Sequence, residues 1–167
     1  MMLEGWHVID FPAARRSLLE APKSCVYVFC FGSEEIPFYV GQSGRFSGRI
    51  ENDYRLTKWN GSPLNKLESP TDFCVAEAAA YLNGQKGQQI KVKYKQSSDD
   101  QKLREKEEAD IIDGLVIEGW RLMNCLGRFD PKQTSAESER EKIRRFCDML
   151  LQKRSNGNMT VDGRARC

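Results

Sequence analysis

The hydrophobic and polar positions change period several times along the chain. Residues 26–31 (VYVFCF) form an unbroken apolar and aromatic run, and residues 36–40 (IPFYV) form a second, with Gly32, Ser33 and Glu34 between them. β-Branched and aromatic content around a glycine turn predicts two strands of an antiparallel hairpin. Pro37 sits at the start of the second strand, where a missing N–H is tolerated. Residues 89–95 (QIKVKYK) alternate strictly, with Ile90, Val92 and Tyr94 on one face and Lys91, Lys93 and Lys95 on the other. This predicts a third strand with one solvated face. Helical spacing accounts for much of the rest. Residues 11–20 (FPAARRSLLE) predict a short covering helix stopped by Pro22. A helix entered after Gly44 is expected to run through residues 49–58, with a loop rich in Gly, Ser, Pro and Asn over 61–70. Residues 73–82 (FCVAEAAAYL) predict an alanine-rich helix ending at Asn83-Gly84, and 101–115 a long acidic one. Thr134 and Glu137 stand at capping-box spacing before a helix whose apolar face carries Ile143, Phe146, Cys147, Leu150 and Leu151.

These elements predict an α/β (α+β) domain built on a small three-stranded mixed or antiparallel sheet flanked by helices. The expected division is an N-terminal covering segment at 1–22, a central domain at 23–127, and a basic helical extension with a flexible tail at 128–167. At 167 residues, 40% hydrophobic and 30% charged, the chain has the composition of one folded domain rather than of a disordered polymer. No apolar run approaches the roughly 18 residues that span a bilayer, and the N-terminus lacks a secretory pattern, so a cytoplasmic, intracellular protein with no membrane partner is expected. Six cysteines without a CxxC pair read as reduced thiols acting as small hydrophobes.

Charge is distributed unevenly. Residues 99–118 hold 3 basic and 8 acidic side chains, whereas 119–167 hold 11 basic and 6 acidic. An acidic block beside a basic one suits a cation site next to a phosphate-binding surface, and it equally suits a solvated acidic helix. Within the acidic helix, Ile111, Ile112 and Leu115 follow Glu108 at three, four and seven residues, which puts this carboxylate on the core-facing stripe. A lone charge there is costly unless it is paired, hydrogen-bonded or bound to a cation. Glu107 is its neighbour and competitor. The basic C-terminal helix has three readings: docking on the core, which is the default for an apolar face, a strip for DNA, or a homodimer contact.

CVY at 25–27, YVG at 39–41 and an arginine ten residues beyond Tyr39, Arg49, together resemble the signature of the GIY-YIG nuclease family. The run EADII at 108–112 resembles that family's metal-binding glutamate, and Asn124 in RLMNCLG its closing element. Cys25 replaces the first glycine. Gln42 stands where some members carry a lysine, and Asp53 where some carry a histidine or tyrosine, with Tyr54 next to it.

The resemblance implies a metal-dependent DNA endonuclease that hydrolyses phosphodiester bonds with Mg²⁺ or Mn²⁺. Tyr27, Tyr39, Arg49, Glu108 and Tyr54 are the implied catalytic residues, with Glu108 as the metal ligand. Gly41, Arg45, Lys91, Lys93 and Asn124 are the implied substrate contacts. Such chemistry requires a positioned water and neutralisation of charge building on the phosphate. A carboxylate-bound divalent cation and a permanently charged arginine fork are suited to that task. The alternative from another class is a non-catalytic nucleic-acid-binding or interaction module on the same fold. His7 lies outside every one of these motifs, and no glycine-rich phosphate loop followed by Lys-Ser or Lys-Thr is present, so histidine-based nuclease chemistry and nucleotide hydrolysis have no footing.

Overall fold

β2 (Cys25–Phe31) is buried at all seven positions, as expected of a strand whose sequence shows no polar alternation. It lies inside a sheet covered on both faces. In the computed structural model, which describes residues 2–54, 70–126 and 136–155, the sheet has the order β1-β4-β2-β3. Here β1 is His7–Phe11, β3 is Ile36–Ser43 and β4 is Ile90–Gln96, and every pairing is antiparallel.

The three expected strands are therefore joined by a fourth. β1 escaped the periodicity because it is an edge strand with one buried residue, Ile9, among five. The covering helix expected over 11–20 shrinks accordingly. Phe11 closes β1, Pro12 has no N–H with which to continue the ladder, and helix α1 covers just Arg15–Leu18 with Leu18 turned inward.

A bulge after Phe29 sets the hairpin register. Phe29 pairs with Tyr39 and Cys30 with Pro37, leaving Phe38 as the extra residue. An inserted residue breaks the strict alternation of sides, and both Phe38 and Tyr39 join the same aromatic cluster. The turn closes with Gly32 at φ 73° and Glu35 at φ 53°.

Beyond β3, α2 (Phe46–Gly48) runs directly into a wider π-type turn, Arg49–Asp53. Helix α3 (Pro70–Ala80) ends in a second such turn, Tyr81–Gln85. Helix α4 spans Gln101–Ile117, capped by Asp100, whose side chain accepts from the Leu103 amide. A short 3₁₀ turn, Met123–Cys125, and helix α5, Ala136–Ser155, complete the order.

Two hydrophobic layers result. On one side of the sheet Tyr27, Phe29, Phe31, Ile90 and Val92 meet α3 and α5. On the other, Val26, Val28, Cys30 and Val40 meet Ile111 and Leu115 of α4. Helix α5 buries Ile143, Phe146, Cys147 and Leu150 in the first layer, so its apolar face docks on the chain's own core. Its charges follow: Arg144 Nη2 lies 3.0 Å from the carboxylate of Glu77 on α3 and Arg140 Nε 3.7 Å from it, and Glu77 is 4% exposed. Cys25, Cys30, Cys74 and Cys147 are free thiols as expected, whereas Cys125 is disulfide-bonded.

Among the described residues no helix is long and apolar enough to cross a membrane. The expected helix beyond Tyr54, the loop at 61–69, the Thr134 cap and the tail after Ser155 lie outside the described residues.

Candidate active site

The site grows from one cross-strand pair. Tyr27 on β2 faces Gly41 on β3, and its ring lies across the glycine. A Cβ built at Gly41 would come within 2.7 Å of Tyr27 Cε2, Cζ and the hydroxyl oxygen, a contact no side chain can share. Gly41 is thus required by close approach, and the ring is pinned in place.

From there the Tyr27 hydroxyl reaches the Tyr54 hydroxyl at 2.6 Å. Tyr54 stands at the end of the π-type turn that Arg49 opens, and the Arg49 guanidinium carbon sits 5.1 Å from the centroid of its ring. An α-helix brings residue i+4 over residue i, whereas a π turn closes one residue later. The wider turn therefore carries Tyr54, at five residues, into the hydroxyl network, while Asp53, at four, meets Arg49 Nη1 at 3.2 Å. The Tyr39 ring completes the group, 6.3 Å from that of Tyr54, with Phe29 packed 5.1 Å from Tyr54.

Asp72, in the first turn of α3, holds Arg49 from the far side. Its Oδ2 accepts from Nη1 at 2.8 Å and its Oδ1 from Nη2 at 2.6 Å, a bidentate fork. The Asp72 side chain is 4% exposed and that of Arg49 is 26% exposed, so the cation is fixed from within and open on its outer edge.

Glu108 arrives from the opposite side of the sheet. Helix α4 crosses β2 and the edge strand β3, with Arg104, Ile111 and Leu115 buried on the stripe that Glu108 shares. Burial first, and then the charge of Glu105, push the Glu108 carboxyl up to about 7, opposed by the Arg49 cation. Tyr39 in turn is raised by burial and by the nearby charges of Tyr27 and Glu108. Tyr27, Tyr39, Tyr54 and Arg49 thus form one packed group, and Glu108, from the helix on the other face, is connected to it through its charge on Tyr39 and that of Arg49.

Glu107 turns elsewhere. Burial works to raise its carboxyl, but Lys95 Nζ at 2.6 Å and the Ser97 hydroxyl that donates to it together hold it below the usual range. Of the two glutamates, Glu108 is the one whose charge is felt by Tyr39.

The phenols are strongly biased toward the neutral form. Burial pushes Tyr27 up to about 12 against the lowering influence of Arg49, and raises Tyr54 as well. Burial also works against the Arg49 charge, but Tyr54, Tyr27 and Asp72 outweigh it and keep the guanidinium protonated.

The expected substrate contacts divide. Gly41 lies within the group. Arg45 is exposed at the β3–α2 junction, where its carbonyl accepts from the Arg49 amide at 2.9 Å. Asn124 clips the free edge of β3: its Oδ1 accepts from the Val40 amide at 2.9 Å and its Nδ2 donates to the Val40 carbonyl at 2.8 Å. It thereby imitates a neighbouring strand one residue beyond Tyr39. Lys91 and Lys93 are not brought to the tyrosines. They project on the α4 side of the sheet and share Glu35, with Lys91 Nζ at 3.1 Å, and Lys93 foremost holds that carboxyl below its usual range.

Two residues of the site went unnoticed in sequence. Asp72 has as its one signal an acidic side chain in the first turn of a helix, and Arg104 sits one turn before Glu108.

Among the described residues no three of His, Cys, Asp and Glu gather around one point. A cation here would take one carboxylate, Glu108, and complete its shell with water and substrate oxygens, a donor set that suits a hard ion such as Mg²⁺. The half-buried Glu108 carboxylate, destabilised further by Glu105, is a group whose ionised form a cation would relieve.

Comparison with family models, with curated proteins and with solved structures finds no match to this chain.

Proposed function

We propose that the protein is a DNA endonuclease of the GIY-YIG type that hydrolyses phosphodiester bonds with a divalent cation. The observation carrying this reading is the gathering of Tyr27, Tyr39, Tyr54 and Arg49 from two strands and a π-type turn, with the Glu108 carboxyl on the helix of the opposite face electrostatically coupled to Tyr39 and Arg49. Packing alone does not call for an arginine among three adjoining phenols with a desolvated carboxylate coupled to them.

In this reading Arg49 receives a phosphate oxygen on its outer edge while Asp72 and Asp53 hold its inner N–H groups, so the cation is oriented before substrate arrives. One of the Tyr27 and Tyr54 hydroxyls donates to the other, an oxygen of the pair accepts from Arg49, and the remaining hydroxyl proton is left for the phosphate. Glu108 would hold the cation, which would supply Lewis acidity at the phosphate. Mg²⁺ or Mn²⁺ and a DNA backbone are the ligands this constellation suits.

A second reading, a nucleic-acid-binding or interaction module on the same fold, is favoured by one observation. Tyr27 is 0% and Tyr54 1% exposed, as expected of core residues rather than of groups that meet a water. Incubating wild type and Arg49→Ala with DNA and Mg²⁺ separates the two. Cleavage by wild type that falls by orders of magnitude in the variant supports the nuclease. Binding without cleavage by either protein supports the module.

A further inference from the structure

The tyrosine cluster leaves a second cation unexplained. Arg104 is 7% exposed, yet each of its hydrogen-bond partners is neutral. Its Nε donates to Gln42 Oε1 at 3.0 Å, and its Nη1 donates to the carbonyls of Ser98 at 2.9 Å and Asp99 at 2.7 Å. Nη2 has no acceptor among the described residues. Nor does a described carboxylate lie within ion-pairing distance of the guanidinium. A buried charge with idle donors is costly unless something anionic completes it.

The surroundings indicate where that partner enters. Nη2 lies beneath Gly44, whose absent Cβ would sit 3.1 Å from it. Gly44 is half-exposed and brings no side chain of its own over the guanidinium. Gly44 also opens the turn that leads within five residues to Arg49, placing both cations on the flanks of the same strand end. An acceptor-only anion satisfies both the idle N–H pair and the uncompensated charge, and phosphate fits a planar guanidinium edge.

We infer that Arg104 and Gly44 form a second phosphate subsite, which takes a further backbone phosphate of the same DNA whose scissile phosphate meets Arg49. This deepens the nuclease reading and rests on it. Arg104 reaches the site from α4 while gripping Gln42, so the helix, rather than the side chain at position 42, delivers the positive charge at the end of β3.

The test is binding of a short DNA duplex, in chelator to prevent cleavage, by fluorescence anisotropy between about 50 and 200 mM salt. Loss of one phosphate contact makes the plot of log affinity against log salt shallower by about one. Arg104→Gln is expected to show that change, with affinity lowered about tenfold at the low-salt end. Gly44→Ala keeps the charge but sets a methyl group over Nη2, and is expected to weaken binding several-fold while its circular dichroism stays that of wild type. If Arg104→Gln does not fold, Gly44→Ala decides. A folded variant of either kind that binds with wild-type affinity and salt slope overturns the subsite, while cleavage by wild type leaves the nuclease reading standing. Wild type that neither binds nor cleaves the duplex removes both.

Discussion

Replacing Gly41 by alanine tests how the site is built, because the structure predicts both a sign and a size. The added methyl would come within 2.7 Å of three atoms of the Tyr27 ring. That ring cannot retreat: it is wholly buried, with Phe46 at 5.5 Å, Phe29 at 6.2 Å and Tyr54 at 6.3 Å between centroids. Overpacking of this kind costs about 1–3 kcal/mol, so Gly41→Ala should lower Tm by roughly 4–8 °C for a loss near 2 kcal/mol at this chain length. Gly48 is the internal control. It is exposed, has helical φ of −64°, and meets nothing within 4 Å of an added Cβ. Gly48→Ala should therefore stabilise by about 0.5–1 kcal/mol. Thermal unfolding followed by circular dichroism reads both. A double-mutant cycle with Tyr27→Leu isolates the contact, since Gly41→Ala should cost far less once the ring is gone. Equal melting temperatures for wild type and Gly41→Ala, or additive effects in the cycle, would refute a ring pinned on the glycine.

Three further outcomes follow from the same geometry. The Glu108 carboxyl, raised from about 4.5 to about 7 by burial and Glu105, binds its proton more tightly folded than unfolded, so its contribution to stability is complete below pH 4.5 and is lost as pH rises through 7. Chemical denaturation across this window should show wild type losing stability that Glu108→Gln retains, and parallel profiles would contradict the assignment. Replacing Arg140 and Arg144 together by methionine strands the buried Glu77 carboxylate, so a loss at the low end of the roughly 3–5 kcal/mol for a broken buried pair is expected in urea titration, since both arginines are part-exposed, against near-zero if these arginines serve only the surface. Asp72→Asn should release the fork that orients Arg49, and steady-state cleavage should then show kcat falling more than KM rises; an effect confined to KM would mean Asp72 does not position the arginine for reaction.

What could be read from the sequence divides along physical lines. The hairpin was legible as two unbroken β-branched and aromatic runs around a glycine turn, β4 and α4 because burial imposes a period of 2.0 or 3.6 on long enough segments, and the docking face of α5 for the same reason as α4. β1 was not, since a lone inward residue, Ile9, makes no period. The π-type turn was invisible too: a helix one residue wider per turn leaves no mark in five residues, yet it carries Tyr54 rather than Asp53 to Tyr27. Asp72 and Arg104 act through partners 23 and 62 residues away in the chain, and no local pattern records such pairings. The lysine row of β4 shows the converse case. Its alternation was plain, but Glu35 and Glu107, which occupy all three lysines, come from a turn and a helix that only the fold brings near.

The most direct test of the central claim is cleavage of plasmid, linear, branched and single-stranded DNA in Mg²⁺ or Mn²⁺ by wild type and by Glu108→Gln, which keeps the shape of the side chain and removes the charge a cation needs. Metal-dependent cleavage of at least one substrate by wild type, abolished in Glu108→Gln, is the predicted result. Folded wild type that cleaves none of them, or a Glu108→Gln variant that cleaves as well as wild type, would contradict it.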